Sequence, residues 1–194
     1  TIDTFYYQLK EKIESVYSDN QGRPTLRLER YIRSNSSLPW ILKDVWAENR
    51  SKTNAEKVEE NVRFVKLIFP IKSGQTWDGN VQNTIGEENY TYEFFDLSKN
   101  IGALHFDSTL QVTQHDETNL ILKKYAIEKY ARNAGMAYKE VIDIQSQPNP
   151  LWSNTALFPF GSDSINLFFS EPNIMKRVTS GYQFKYTITY YGVE

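Results

Sequence analysis

The chain has no cysteine. Disulfides, a thiolate nucleophile and a cysteine-ligated metal are therefore excluded. The compartment stays open, because a bacterial envelope protein need not use disulfides. Turn residues are scarce: nine glycines and seven prolines in 194 residues, below the usual share, which favours long strands over many short ones. Neither sign of charge dominates, with 22 Lys and Arg against 24 Asp and Glu and a net charge of −2. No global positive field draws the chain to nucleic acid or to an anionic membrane. No apolar run reaches the length of a membrane span. A Gly-rich phosphate loop, a dinucleotide fingerprint and a Gly-x-Ser-x-Gly elbow are all missing.

Strand formers are abundant. Val, Ile, Thr and the aromatics make up 67 of the 194 residues, while Ala and Leu together supply 22. Branched and aromatic side chains lose χ1 freedom in a helix and pack well on a pleated surface, so the expected class is all-β. The length buries roughly 70% of the unfolded surface, enough for a core without staples.

Along the chain, residues 4–17 alternate apolar and polar, turn at Asp19-Asn20-Gln21-Gly22, and return over 26–33. Trp40, Leu42 and Trp46 are expected to share a face with Asp44. A short strand at 55–59 leads into 62–71, which is apolar on both sides and reads as a central strand ending at Pro70. Residues 72–88 read as a loop, followed by strands from Tyr90 and from Phe106. Residues 119–131 fit helical and strand spacing alike, and are assigned to a strand. Strands at 136–145 and from Tyr182 to Tyr190 complete about ten, joined mostly by short turns. The expectation is a single β domain over 1–194: one large curved antiparallel meander sheet, a half-barrel or barrel. A Pro/Phe-rich insertion at 148–180 has room for a short helix between Ser162 and Phe169.

Tyr130-Ala131-Arg132-Asn133-Ala134-Gly135-Met136-Ala137-Tyr138-Lys139-Glu140 resembles a strand–turn–strand found in uncharacterised envelope lipoproteins of Bacteroidetes bacteria. Phe69-Pro70 with Thr76-Trp77-Asp78-Gly79-Asn80, then Phe106-Asp107-Ser108, and the terminal strand from Gly181-Tyr182 fit the same pattern. The resemblance implies a bacterial, extracytoplasmic protein of the periplasm or outer membrane, with a large curved sheet and no assigned activity. Its membrane attachment would run only through a lipid anchor absent from this chain. Two features depart from the family: the lipidated Cys and aromatic opening segment are missing, and 148–180 is longer than usual. A chain that opens at Thr1, without Met or leader, is expected to be processed or trimmed.

Few residues suggest chemistry. His105 and His115 are ten apart, near Asp107 and Asp116. Those four would be needed for a metal site, and edge or turn roles are the expectation. Asp96 to Gly102 departs from a calcium loop at its Gly and at its twelfth position and reads as a polar turn. The adjacent carboxylates Glu59-Glu60, Glu87-Glu88 and Asp116-Glu117 read as solvated. No catalytic residue, metal or cofactor is expected. The remaining lead is aromatic: Trp77 and Trp152, expected to be exposed in loops, with Phe158, Phe160, Phe168 and Phe169 of the insertion. The function expected is non-enzymatic, with an apolar small molecule or lipid held by the concave sheet under the insertion. Docking of an envelope protein on the Phe-rich insertion is the alternative, and a glycan-acting hydrolase the remote one.

Overall fold

The computed structural model describes residues 5–148 and 176–189. They are all-β, with eleven strands and no helix among the described residues: β1 (Gln8–Ser18), β2 (Pro24–Arg33), β3 (Ile41–Arg50), β4 (Asn54–Glu59), β5 (Val62–Ile68), β6 (Thr76–Asp78), β7 (Asn89–Ile101), β8 (Leu104–Thr118), β9 (Leu122–Ala131), β10 (Gly135–Pro148) and β11 (Lys176–Thr187). They form two sheets rather than one, ordered β1-β2-β3-β4-β5 and β11-β10-β9-β8-β7-β6. The long strands and the meander order agree with the sequence reading, and the assignment of 119–131 to a strand holds over Leu122–Ala131. The short helix placed between Ser162 and Phe169 lies outside the described residues. The chain divides into two compact units, Thr1–Lys72 with Thr76–Asn89, and Ser73–Gln75 with Tyr90–Glu194.

In the first unit the sheet is held largely by charge. Arg30 is 4% exposed. Its guanidinium donates to Glu11 at 2.9 Å and Asp44 at 3.0 Å, and lies 3.6 Å from the centre of the Trp46 ring. These groups face one another because β1, β2 and β3 pair Glu11 with Arg30 and Arg30 with Asp44. On the same ring lies Lys57, whose ammonium meets Glu48 at 2.9 Å. Burial alone would lower the Lys57 pKa, but the carboxylates of Glu48, Glu11 and Glu59 outweigh it and the pKa is raised. Lys66 repeats the arrangement with Glu59 and Phe64.

Two expectations change here. The 62–71 run is not central, because β5 ends the first sheet. Its apolar character is used at that edge: Val65 N–H donates to Gly79 O at 2.8 Å, Trp77 Nε1 donates to Val65 O at 2.8 Å, and Asn83 Nδ2 donates to Arg63 O at 2.9 Å. The segment after β6 thus shields strand groups that would otherwise be an open edge. Leu42 also leaves the Trp46 face, because Lys43 is an extra residue in the β2–β3 register and shifts the alternation.

The second unit has an apolar centre, where Ile101, Phe106, Ala131 and Ala137 pack together. Beside it, one cross-strand row joins Tyr92, Val112, Glu128, Lys139 and Tyr186. Glu128 is 1% exposed, receives the Tyr130 hydroxyl at 2.6 Å, and meets Lys139 at 3.0 Å. Gly181 lets β11 approach β10 closely, since a Cβ there would stand 2.5 Å from Asp143 O.

Removing one member of a buried ion pair strands the other. Glu128→Ala is expected to cost about 3 kcal/mol in urea unfolding, and Glu128→Leu with Lys139→Met distinctly less. Equal losses would show that the pair is not what holds this row.

Candidate functional site

The first sheet carries an open, shallow groove. Its volume is about 570 Å³, and it is lined by residues of all five strands and the turns beside them. One cross-strand row defines it: Ser15, Arg27, Ala47, Val58 and Arg63, each paired with the next. Ala47 and Val58 are short, so the surface dips between the two arginines. These stand roughly 14 Å apart at the backbone, by strand spacing. Val45 extends the apolar floor, and Tyr17, Asp19, Thr25, Trp46 and Asn61 also contribute to the lining.

The neighbouring row on the same face, Thr25, Asn49 and Glu56, is polar and buried. Asn49 donates to Thr25 Oγ1 and to Pro24 O, and accepts from Arg63 Nη1 at 2.9 Å. The same Arg63 nitrogen donates to Glu56 at 2.7 Å, and Glu56 also accepts from Arg23 at 3.2 Å. Arg23 reaches on to Asp19 at 2.9 Å. The backbone N–H of Arg23, with that of Gln21 and the Arg23 guanidinium, holds the Asp19 carboxyl below its usual range against its desolvation. This contribution is present at neutral pH and lost only as pH falls below about 4. Arg27 meets Glu29 at 3.2 Å and Glu14 at 3.5 Å. The Tyr31 hydroxyl donates to Glu29, lowering the Glu29 carboxyl and raising the Tyr31 phenol.

Each arginine at the groove therefore has a carboxylate. The site is balanced in charge, with an apolar floor and fixed donors and acceptors on its rim. That suits a small amphipathic molecule better than a polyanion or a free cation. Asp19 and Glu56 both accept from Arg23, so neither is disposed as a free acid toward a bound molecule.

Of the residues expected to bind ligand, Trp77 is 8% exposed rather than exposed, and its indole is committed to Val65 O. It lies in β6, not in an open loop. Trp152, Phe158, Phe160, Phe168 and Phe169 lie outside the described residues. The histidines do not meet: His105 pairs with Asn100 and His115 with Ala126. Among the described residues, no group of three His, Asp or Glu could hold a metal ion. Asp96 accepts from Ser108 at 2.5 Å and faces Arg132 at 3.5 Å, so the 96–102 stretch is strand and turn.

One arrangement was not legible beforehand. His105 Nδ1 lies 2.8 Å from Asn100 Oδ1, and its Nε2 lies 3.2 Å from Ser98 Oγ. The order of hydroxyl, imidazole and amide matches a nucleophile with its base and orienting group. All three are exposed on the β7–β8 hairpin, with His105 at 60%. Bulk water there weakens the electrostatic assistance that acyl transfer requires.

No family model, curated protein or solved structure matches the chain.

Arg63 binds the nearly buried Glu56, whereas Arg27 is 41% exposed. Arg63→Ala is expected to cost about 2 kcal/mol in urea unfolding and Arg27→Ala no more than about 0.5 kcal/mol. The reverse ranking would contradict this division of roles.

Proposed function

We propose that this chain is a non-enzymatic binding module of a bacterial cell envelope, taking a small amphipathic or lipid-like ligand on its first sheet. The observation that carries the reading is the Ser15–Arg27–Ala47–Val58–Arg63 row. Ala47 and Val58 offer apolar surface, and Arg27 and Arg63 on either side of them offer guanidinium donors already oriented by carboxylates. An apolar body would cover Val45, Ala47 and Val58, while polar groups would meet Arg27, Arg63 and Asn61. Preorganised rim groups lower the ordering cost of binding. The envelope placement rests on the resemblance of the 130–140 segment to Bacteroidetes envelope lipoproteins.

A second reading, docking of an envelope protein, is favoured by a different observation. Phe5, Tyr6, Ile13, Val16 and Tyr17 are all exposed, and they lie on or just before β1, the end strand of its sheet. Apolar groups gathered on a strand edge are a common basis for association. The insertion first expected to serve this purpose lies outside the described residues.

Native mass spectrometry of protein purified from a bacterial host, followed by organic extraction, separates the two. The binding reading expects a co-purified small mass that disappears in Ala47→Trp, which fills the dip. A bare monomer in the native protein overturns it. A mass that doubles with concentration, unaffected by Ala47→Trp, favours docking.

A further inference from the structure

The second sheet carries a surface that the groove does not explain. On β11, Tyr182, Phe184 and Tyr186 fall on one face, since side chains two apart on a strand share a side. Tyr182 and Phe184 have ring centres 6.1 Å apart with planes only 4° from parallel, and Phe184 and Tyr186 are 5.3 Å apart. The Phe184 and Tyr186 ring planes are tilted by 43° to each other. Tyr182 is 56% exposed, and the other two are half-buried. Among the described strands, β11 is the last of its sheet. A core strand would direct such rings inward, yet here the ring nearest Gly181 is the most open.

The surroundings indicate what would lie on the row. Beside Tyr182, the next strands place Asp143, Lys124 and Glu117 in succession. Beside Phe184 stand Val141 and Ala126, and beside Tyr186 stand Lys139 and Glu128. Partly exposed rings at the edge thus adjoin charged groups of both signs; the buried Glu128 and half-buried Lys139 are paired with each other, and of the others Asp143 and Glu117 outnumber Lys124. A nucleic-acid strand also stacks on aromatic rows, but it needs a positive groove for its phosphates, and this set of charges is slightly negative. An acyl chain needs enclosure, which an open row does not give.

We propose that the Tyr182–Phe184–Tyr186 row is a binding platform for a neutral glycan chain. The C–H faces of successive sugar rings lie on the aromatic rings, and their hydroxyl edges meet Asp143 and Lys124. This site is separate from the groove and does not rest on the function proposed for it.

The test is affinity electrophoresis of the full chain in gels containing xylan, laminarin, mannan or hydroxyethyl cellulose. At least one should retard the native protein. Tyr182→Ala should weaken that retardation at least tenfold, whereas Tyr182→Phe should retain most of it. Because Tyr182 is the most exposed ring of the row, its removal should leave the thermal unfolding midpoint unchanged, which separates lost binding from lost folding. The proposal is overturned by the absence of retardation on all four polymers, by retardation indifferent to Tyr182→Ala, or by preferential capture of an oligo-dT strand.

Discussion

The first sheet depends on an aromatic ring held between cations that are themselves held by carboxylates. Trp46 lies against Arg30 and Lys57, and Glu11, Asp44 and Glu48 fix those cations in turn. Few apolar side chains of this unit are buried: among the described residues they are Leu28, Val65 and Trp77, against Arg30, Glu56, Lys57 and Lys66 among the charged. A buried charge is costly unless paired and hydrogen-bonded. Here nearly every such group faces an opposite charge on the neighbouring strand, so the cross-strand register is set by the need to satisfy those charges.

The same constraint shapes the groove. Alternation sends Arg30 and Trp46 to one face, and Arg27, Ala47 and Val58 to the other. Asn49 and Glu56, joined through Arg63 at the rim, tie the strands together beside the dip, and short side chains occupy its centre. The charge balance of the site follows from the pairing of its arginines with carboxylates. The second sheet uses a different solution, an apolar cluster with one buried ion pair, and its aromatic row stands at the far edge.

The strands were legible because their apolar spacing has a period of two. In the 119–131 stretch, where helical spacing competed, it held over Leu122–Ala131. The number of sheets was not legible, since nothing in a run of hairpins records where one sheet ends. The fifth run looked central because it is apolar on both sides, yet Trp77 and Gly79 cover it at an edge. Leu42 changed face because a bulge at Lys43 leaves no mark in the residue pattern. Trp77 was mistaken for an exposed loop residue, because a three-residue strand amid turns lacks any periodicity. The groove was hidden more deeply: Ser15, Arg27, Ala47, Val58 and Arg63 meet only after several registers are fixed, whereas the alternation of Tyr182, Phe184 and Tyr186 was visible directly.

Cation, ring and carboxylate act as one unit in the first sheet. Native-state hydrogen exchange of the β2 and β3 amides, measured in the native protein, Arg30→Lys, Trp46→Leu and the double variant, tests it most directly. The account predicts that the two substitutions are coupled by at least about 1 kcal/mol, the double variant losing less than the two singles combined. Additive losses, or protection of β2 and β3 that neither substitution reduces, would contradict it.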